Sequence, residues 1–267
     1  MNEVPEIEEK LKINFPRIKE KLTDFINKKV REANADGVVF GLSGGIDSAV
    51  IAYLCQRTLE NDNVLAVSMP EEGVTSKKDL KDSKKIVDEL NIDFKTVQIS
   101  SILEEFSNSI EDFDQEAKVP IANLKPRIRM SILYYYANLL NYLVVGTGNK
   151  SELQIGYFTK YGDGASDLIP LGSLYKNQVY KIAEKLGVPN EILEKEPSAG
   201  LWQGQTDESE LGLGYDKIDR ILIGLSLNFE KEKISEILDI PIEDVEVVID
   251  KKESVEHKLQ RPPIPEI

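Results

Sequence analysis

Residues 41–48 read Gly-Leu-Ser-Gly-Gly-Ile-Asp-Ser, two serines and an acid packed into a glycine-rich turn. They follow the apolar run Val38, Val39 and Phe40 and open a helical pattern that begins near Asp47. A strand, a glycine-rich turn and a helix N-terminus make an anion site, because the leading helix amides lack an intrahelical acceptor and the helix dipole points at the turn. Gly44 and Gly45 let the backbone approach a phosphate closely. Ser43 and Ser48 add hydroxyl donors. Asp47 is wrong for a bare phosphate, but a carboxylate beside a pyrophosphate makes sense as a Mg2+ ligand. Three other readings compete. A Walker A loop needs a lysine that is missing here. Gly41, Ser43 and Gly45 match the nucleophile elbow Gly-x-Ser-x-Gly, and His257, the one histidine, comes late enough to complete a triad. An elbow also needs an earlier strand and oxyanion loop, whereas only a helical stretch precedes Val38. A plain turn before a helix leaves the paired glycines, paired serines and acid unexplained.

Further polar segments follow. Residues 146–152 read Gly-Thr-Gly-Asn-Lys-Ser-Glu after a predicted strand. A dinucleotide fingerprint fails there, because its third glycine position is Ser151. What remains is a second loop ending in Glu152. If the first and fourth strands are neighbours, Glu152 and Asp47 could hold one Mg2+. Taken alone, Glu152 also reads as a solvated helix acid. Residues 159–167, Thr-Lys-Tyr-Gly-Asp-Gly-Ala-Ser-Asp, set Lys160, Asp163 and Asp167 around two glycines. That composition suits a polar ligand, or simply a Gly-Asp turn. His257, near the end of the sequence, reads by itself as a surface residue.

The elements that must position these groups are legible as a pattern. Apolar, β-rich runs at 38–42, 64–69, 94–98 and 142–146 are each paired with helical stretches, around 47–60, 77–90, 102–110 and 121–140. Alternating strands and helices predict an α/β fold, a doubly wound parallel sheet with helices on both faces. Such a sheet brings its strand ends, and hence its ligand site, to one edge. Residues 1–35 read as an N-terminal helical segment, with Pro16 in a first turn and Ile18, Leu22, Phe25 and Ile26 on one stripe. Residues 36–174 make the nucleotide-binding core and 175–267 a mainly helical part, all within one domain. The stretch 196–214 lacks periodicity and carries the only tryptophan, Trp202, which suggests a functional lid.

Composition narrows the partners. The net charge of −14 disfavours nucleic acid and demands local help, from a metal, backbone amides and a few lysines, for a polyanion such as ATP. No run of about 18 apolar residues predicts a membrane helix. The acidic start of the sequence lacks the apolar core of a secretory signal, so the expected location is cytoplasmic. Cys55, alone in an apolar helical stretch, is expected to be buried and inert.

The turn at 43–48 matches the Ser-Gly-Gly-x-Asp-Ser signature of the ATP-pyrophosphatase (PP-loop) superfamily. With residues 146–152, 159–167, 197–212, the run Tyr215-Asp216-Lys217-Ile218-Asp219 and His257-Lys258, in that order, the chain resembles ammonia-dependent NAD synthetase from about Asp36 to the proline-rich tail. The resemblance implies that Gly41, Leu42, Ser43, Gly44, Gly45, Ile46, Asp47 and Ser48 grip ATP, with Met69, Thr147, Lys176 and Ser198 also in contact. It implies Asp47 and Glu152 as Mg2+ ligands, and Arg127, Lys160, Asp167, His257 and Lys258 as the deamido-NAD site. Asp163 would be the acid that holds ammonia, and Lys176 would stabilise the leaving pyrophosphate. Many relatives carry a different filler between Thr147 and Glu152, which leaves Lys150 without a role.

The implied reaction has two steps. The nicotinate carboxylate of deamido-NAD attacks the α-phosphorus of ATP, and ammonia then displaces AMP from the acyl-adenylate. Only helix precedes Val38, and Cys55 lies inside the core, so free ammonia is the simplest nitrogen source, with a separate glutaminase subunit as the alternative. A homodimer with deamido-NAD at its interface is also implied. The Tyr134-Tyr135-Tyr136 run is then a candidate contact surface, or ordinary core packing.

Overall fold

The computed structural model describes residues 4–266. Helices α1 (Val4–Leu11) and α2 (Phe15–Glu32) lead into strand β1 (Gly37–Gly41). Next come α3 (Ile46–Gln56), β2 (Val64–Ser68), α4 (Lys77–Leu90), β3 (Asp93–Thr96), α5 (Ser100–Ser109), α6 (Lys118–Leu140) and β4 (Tyr142–Val144). The remainder is helical: α7 (Lys150–Ile155), α8 (Lys176–Leu186), α9 (Asn190–Leu193), α10 (Asp207–Leu211), α11 (Tyr215–Ser226), α12 (Lys231–Leu238), α13 (Ile242–Ser254) and α14 (Glu256–Leu259).

The strands form one parallel sheet in the order β3-β2-β1-β4, with Val38 opposite both Val64 and Leu143. Successive side chains of a strand face opposite ways, and here each face has its own core. Val38, Phe40, Val64 and Ala66 pack with α2, α3, α4 and α8. Val39, Leu65, Val67 and Val144 pack on the other side with α5 and α6. Burial on both faces is why the central strands read as unbroken apolar runs. The doubly wound α/β arrangement expected from the sequence is present. A third core joins α1, α7, α11, α12 and α13 through Ile7, Leu11, Ile155, Ile218, Leu222, Ile234 and Val245.

Two expectations are refined. The N-terminal helical segment is two helices serving different cores, and residues 1–3 lie outside the described part. Asn14 Oδ1 accepts a hydrogen bond from Arg17 N at 3.2 Å and Pro16 sits in the first turn, so α2 starts afresh after a break. The stretch 196–214 holds one short helix, α10, whose N-cap Thr206 accepts from Ser209 N. The strands stop short of their apolar patterns, but Val97 N still donates to Ser68 O, and Val145 N to Val39 O, both at 2.9 Å. Val145 also bridges Leu168 in parallel, which lays Asp167 and Leu168 beside the end of β4. Cys55 is fully buried, and burial pushes its thiol up. Among the described residues, no helix is long and apolar enough to cross a membrane.

Candidate active site

The turn after β1 is held by its own serines. Ser48 Oγ donates to Gly45 O at 2.9 Å and accepts from Ser43 N, while Gly45 N donates to Ser43 Oγ at 3.2 Å. Gly44 has φ +80°, and a Cβ there would lie 2.6 Å from Asp79 O, so both the backbone and the space demand glycine. The result is a rigid, open cradle at the head of α3. Ser43 makes no contact with His257, which is exposed in α14, so no hydrolase triad is assembled.

Because β1 and β4 are neighbours, the loops that follow them meet. Asp47, near the start of α3, and Glu152, near the start of α7, converge on the ammonium of Lys176, the first residue of α8. Lys176 Nζ is 2.5 Å from Asp47 Oδ2 and 3.2 Å from Glu152 Oε1. Burial pushes the Glu152 carboxyl up to about 7, against the downward pull of Lys176. Burial alone would lower the Lys176 ammonium, but the two carboxylates outweigh it and hold the group charged. Asn149 joins the same cluster. Its Oδ1 accepts from Glu152 N and its Nδ2 donates to Asp47 Oδ1, both at 3.1 Å, while Glu152 Oε2 accepts from Asn149 N.

A cavity of about 620 Å³ opens at this edge of the sheet. Gly41, Leu42, Ser43, Gly45, Ile46, Asp47, Ser48, Met69, Thr147, Glu152, Asp163, Lys176, Ser198 and Lys258 all line it. Gly44 lies behind the turn, against Asp79. Asp163 Oδ1 accepts from Thr159 N at 2.9 Å, and burial pushes its carboxyl up. Lys258 Nζ donates to Gly156 O and Phe158 O. The other expected deamido-NAD residues lie outside the cavity wall. Arg127, exposed on α6, donates to Lys160 O, and Lys160 Nζ donates to His257 O at 2.5 Å. Asp167 is occupied at the sheet edge, where it accepts from Val144 N at 2.7 Å and from Tyr134 OH at 3.0 Å.

A turn that cradles anions, two acids on one cation and a polar cavity at a parallel sheet edge describe a nucleotide enzyme. The profile of the NAD synthase family matches residues 18–262 of this sequence. The chain belongs to the NAD synthase family. The NH(3)-dependent NAD(+) synthetase of Methanocaldococcus jannaschii is 48% identical over 258 residues, 95% of this chain and 98% of that one. Among solved structures, an NH3-dependent NAD synthetase from Campylobacter jejuni, in complex with the nitrate ion, is similar with a TM-score of 0.81 and 36% identity, covering 96% of this chain and all of that one. An NMN synthetase from Francisella tularensis is similar with a TM-score of 0.85 and 35% identity, over the same shares.

Within this NAD synthase fold, several cavity groups carry no motif signal strong enough to name them. Asn149, buried beside the cavity and not part of its wall, does leave a signal: Asn-x-x-Glu ahead of a helix is a capping pattern, and the structure realises it. Arg129 lines the cavity and gives only its Nε, to Met69 O at 3.2 Å. Lys195 ties Gly44 O to Asp79 and Asp82 at 2.7–2.8 Å, fastening the turn to α4. Asp207 is buried, with Oδ2 accepting from Tyr215 OH and Oδ1 unpartnered. The expected lid is held by long-range contacts: Lys125 Nζ donates to Leu201 O, and Lys118 Nζ lies 3.9 Å from the Trp202 ring centroid. Lys150, unassigned from sequence, stacks its ammonium 4.2 Å from the Tyr175 ring centroid.

Proposed function

We propose that the chain catalyses the ATP-dependent amidation of deamido-NAD by ammonia, giving NAD, AMP and pyrophosphate. The observation that carries this is the convergence of the 41–48 turn, Thr147, Glu152, Lys176, Ser198 and Asp163 on one cavity, in a chain of the NAD synthase family. A carboxylate is a poor electrophile, so it must be activated before ammonia can displace anything from it. In the first step the nicotinate carboxylate attacks the α-phosphorus and pyrophosphate leaves. The amides at the head of α3 and the Lys176 ammonium stabilise the charge that gathers on the leaving group, which is catalysis by positioning and electrostatics. In the second step the nitrogen attacks the acyl-adenylate and AMP departs. Asp163 positions the incoming ammonium and receives its proton. The adenylate must be kept from water, and residues 196–202, with Trp202 at the cavity wall, serve as the cover.

The site's donors fit Mg2+. Asp47 and Glu152 are hard oxygen ligands that converge on one cation, the Lys176 ammonium, which would have to make room for the ion, and they supply two protein ligands. That leaves positions for phosphate oxygens and water, the usual company of this ion. Bound there with ATP, Mg2+ would neutralise charge on the pyrophosphate. We further propose a homodimer built on α5 and α6, where Phe106, Ile110, Tyr135 and Leu139 are exposed. Of the tyrosine run, Tyr134 and Tyr136 pack on the core and only Tyr135 faces out. The unpaired Cys55 fits a cytoplasmic enzyme.

The test is incubation with ATP, Mg2+, ammonium and deamido-NAD, with nicotinate mononucleotide in parallel because one similar structure is an NMN synthetase. Stoichiometric NAD, AMP and pyrophosphate are expected. ADP as product, or turnover of the mononucleotide alone, overturns the assignment. Sedimentation of wild type against Tyr135→Glu tests the dimer, which the charge should dissociate.

A further inference from the structure

Tyr215-Asp216-Lys217-Ile218-Asp219 plays no part in the reaction as described so far. Yet Asp219, on α11, is fully buried, and both of its carboxyl oxygens are hydrogen-bonded. One oxygen accepts from Ser151 Oγ at 2.5 Å, the other from Asn177 N and Asn177 Nδ2, each at 2.8 Å. Ser151 Oγ in turn accepts from Lys176 N at 2.9 Å. The first two amides of α8, which have no intrahelical acceptor, are therefore capped by side chains from α7 and α11. Ser151 is the neighbour of Glu152, and Asn177 the neighbour of Lys176. The buried carboxylate thus pins the two helix starts that carry the acid and the ammonium of the phosphate end of the cavity. Packing alone does not call for a carboxylate, which is costly to bury unless its bonds do something an apolar side chain cannot.

We propose that Asp219 is a positioning residue for ATP activation, fixing Lys176 against Glu152 through Ser151 and the head of α8; this rests on Lys176 acting on the phosphates. The chain of bonds is directional. Ser151 Oγ donates to Asp219 and accepts from Lys176 N, so the buried acid sets the serine rotamer that caps α8. Supporting groups that orient a site of this kind cost about 10- to 100-fold in activity when removed.

The experiment is a double-mutant cycle on full-length enzyme, with Asp219→Ala, Lys176→Met and the pair, read as KM for ATP, KM for ammonium and kcat. KM does not depend on how much of the sample is folded, so lost protein does not imitate the effect. Asp219→Ala should raise KM for ATP and lower kcat/KM for ATP by about 10- to 100-fold, leave KM for ammonium in place, and add little on top of Lys176→Met. Asp219→Asn should recover part of the loss, because its carbonyl can face Asn177 while its amide faces Ser151. If Lys176→Met is impaired and Asp219→Ala multiplies onto it in full, Asp219 only stabilises the fold and the proposal is overturned. If Lys176→Met itself has wild-type ATP kinetics, the role of Lys176 falls first, and the proposal with it. Should Asp219→Ala fail to fold, Ser151→Ala and Asp219→Asn carry the same cycle, and full additivity there overturns it equally.

Discussion

Asn149 is the sharpest place to perturb, because one side chain serves both fold and site. Asn149→Ala removes the acceptor for Glu152 N and the donor to Asp47 Oδ1. Loss of a helix N-cap costs about 1 kcal/mol. Loss of a hydrogen bond to a charged acceptor costs about 1.5–3 kcal/mol. The lower half of that range applies, since Asp47 keeps Lys176 on its other oxygen. The sum, about 3 kcal/mol, lowers Tm by roughly 6–12 °C in a chain of this size. The same variant leaves the Lys176 bridge as the one remaining link between Asp47 and Glu152 among the bonds described above, and kcat/KM for ATP should fall about 10- to 100-fold. Asn149→Ser separates the two effects. Serine still caps α7, recovering about 1 kcal/mol, but is too short to reach Asp47, so the kinetic loss should persist. Thermal unfolding by circular dichroism and initial rates at varied ATP give both quantities. An unchanged Tm in Asn149→Ala, or ATP kinetics restored in Asn149→Ser, refutes the reasoning.

Lys125→Met strands Glu71, whose other oxygen already lacks a partner, and should destabilise by about 3–5 kcal/mol, with Lys125→Met/Glu71→Leu regaining most of it in thermal unfolding. Because burial raises the Asp163 carboxyl, the ionised form that holds ammonium is gained only as pH rises past the usual carboxylate range. The kcat/KM for ammonium should therefore climb with pH through that raised value, and Asp163→Asn should lower it and flatten the climb. The stability sign is opposite: ionising Asp163 weakens the fold as pH rises, and Asp163→Asn should lose that dependence. Gly156→Ala places a Cβ 1.8 Å from Val255 Cγ2 at φ +69°, whereas Gly212→Ala meets nothing within 4 Å at φ +78°. Both incur the left-handed cost of about 1–2 kcal/mol, but only the first should also loosen Lys258 from Gly156 O and raise KM for deamido-NAD.

The parts legible in the sequence are those written locally. The strand, turn and helix around 38–48 declare themselves through unbroken burial, glycines and an acid in one short window, and Gly146–Glu152 through its loop composition. The adjacency of β1 and β4 was a condition on the Asp47/Glu152 pair, and the register satisfies it. What stayed hidden depends on partners far along the chain. The Ser151–Asp219 bond spans 68 residues and the Asn149–Asp47 bond 102, and neither leaves a periodic trace. Lys176 illustrates a subtler gap. Resemblance assigned it to the phosphates, but nothing local indicated that its ammonium would sit between the two acids. For α2 the amphipathic stripe marked a buried face without saying which core would bury it, and α1 was not separated from it.

That first helix sets an order of assembly. The two cores that sandwich the sheet are complete once residues up to about Leu193 are available, but Ile7 and Leu11 belong to a core that also needs Val245 and Val248. During synthesis α1 emerges long before its partners on α13, and its apolar face stays uncovered until they have left the ribosome. The α7–α8–α11 junction closes in the same late event, so the nascent sheet can form well before the enzyme becomes competent.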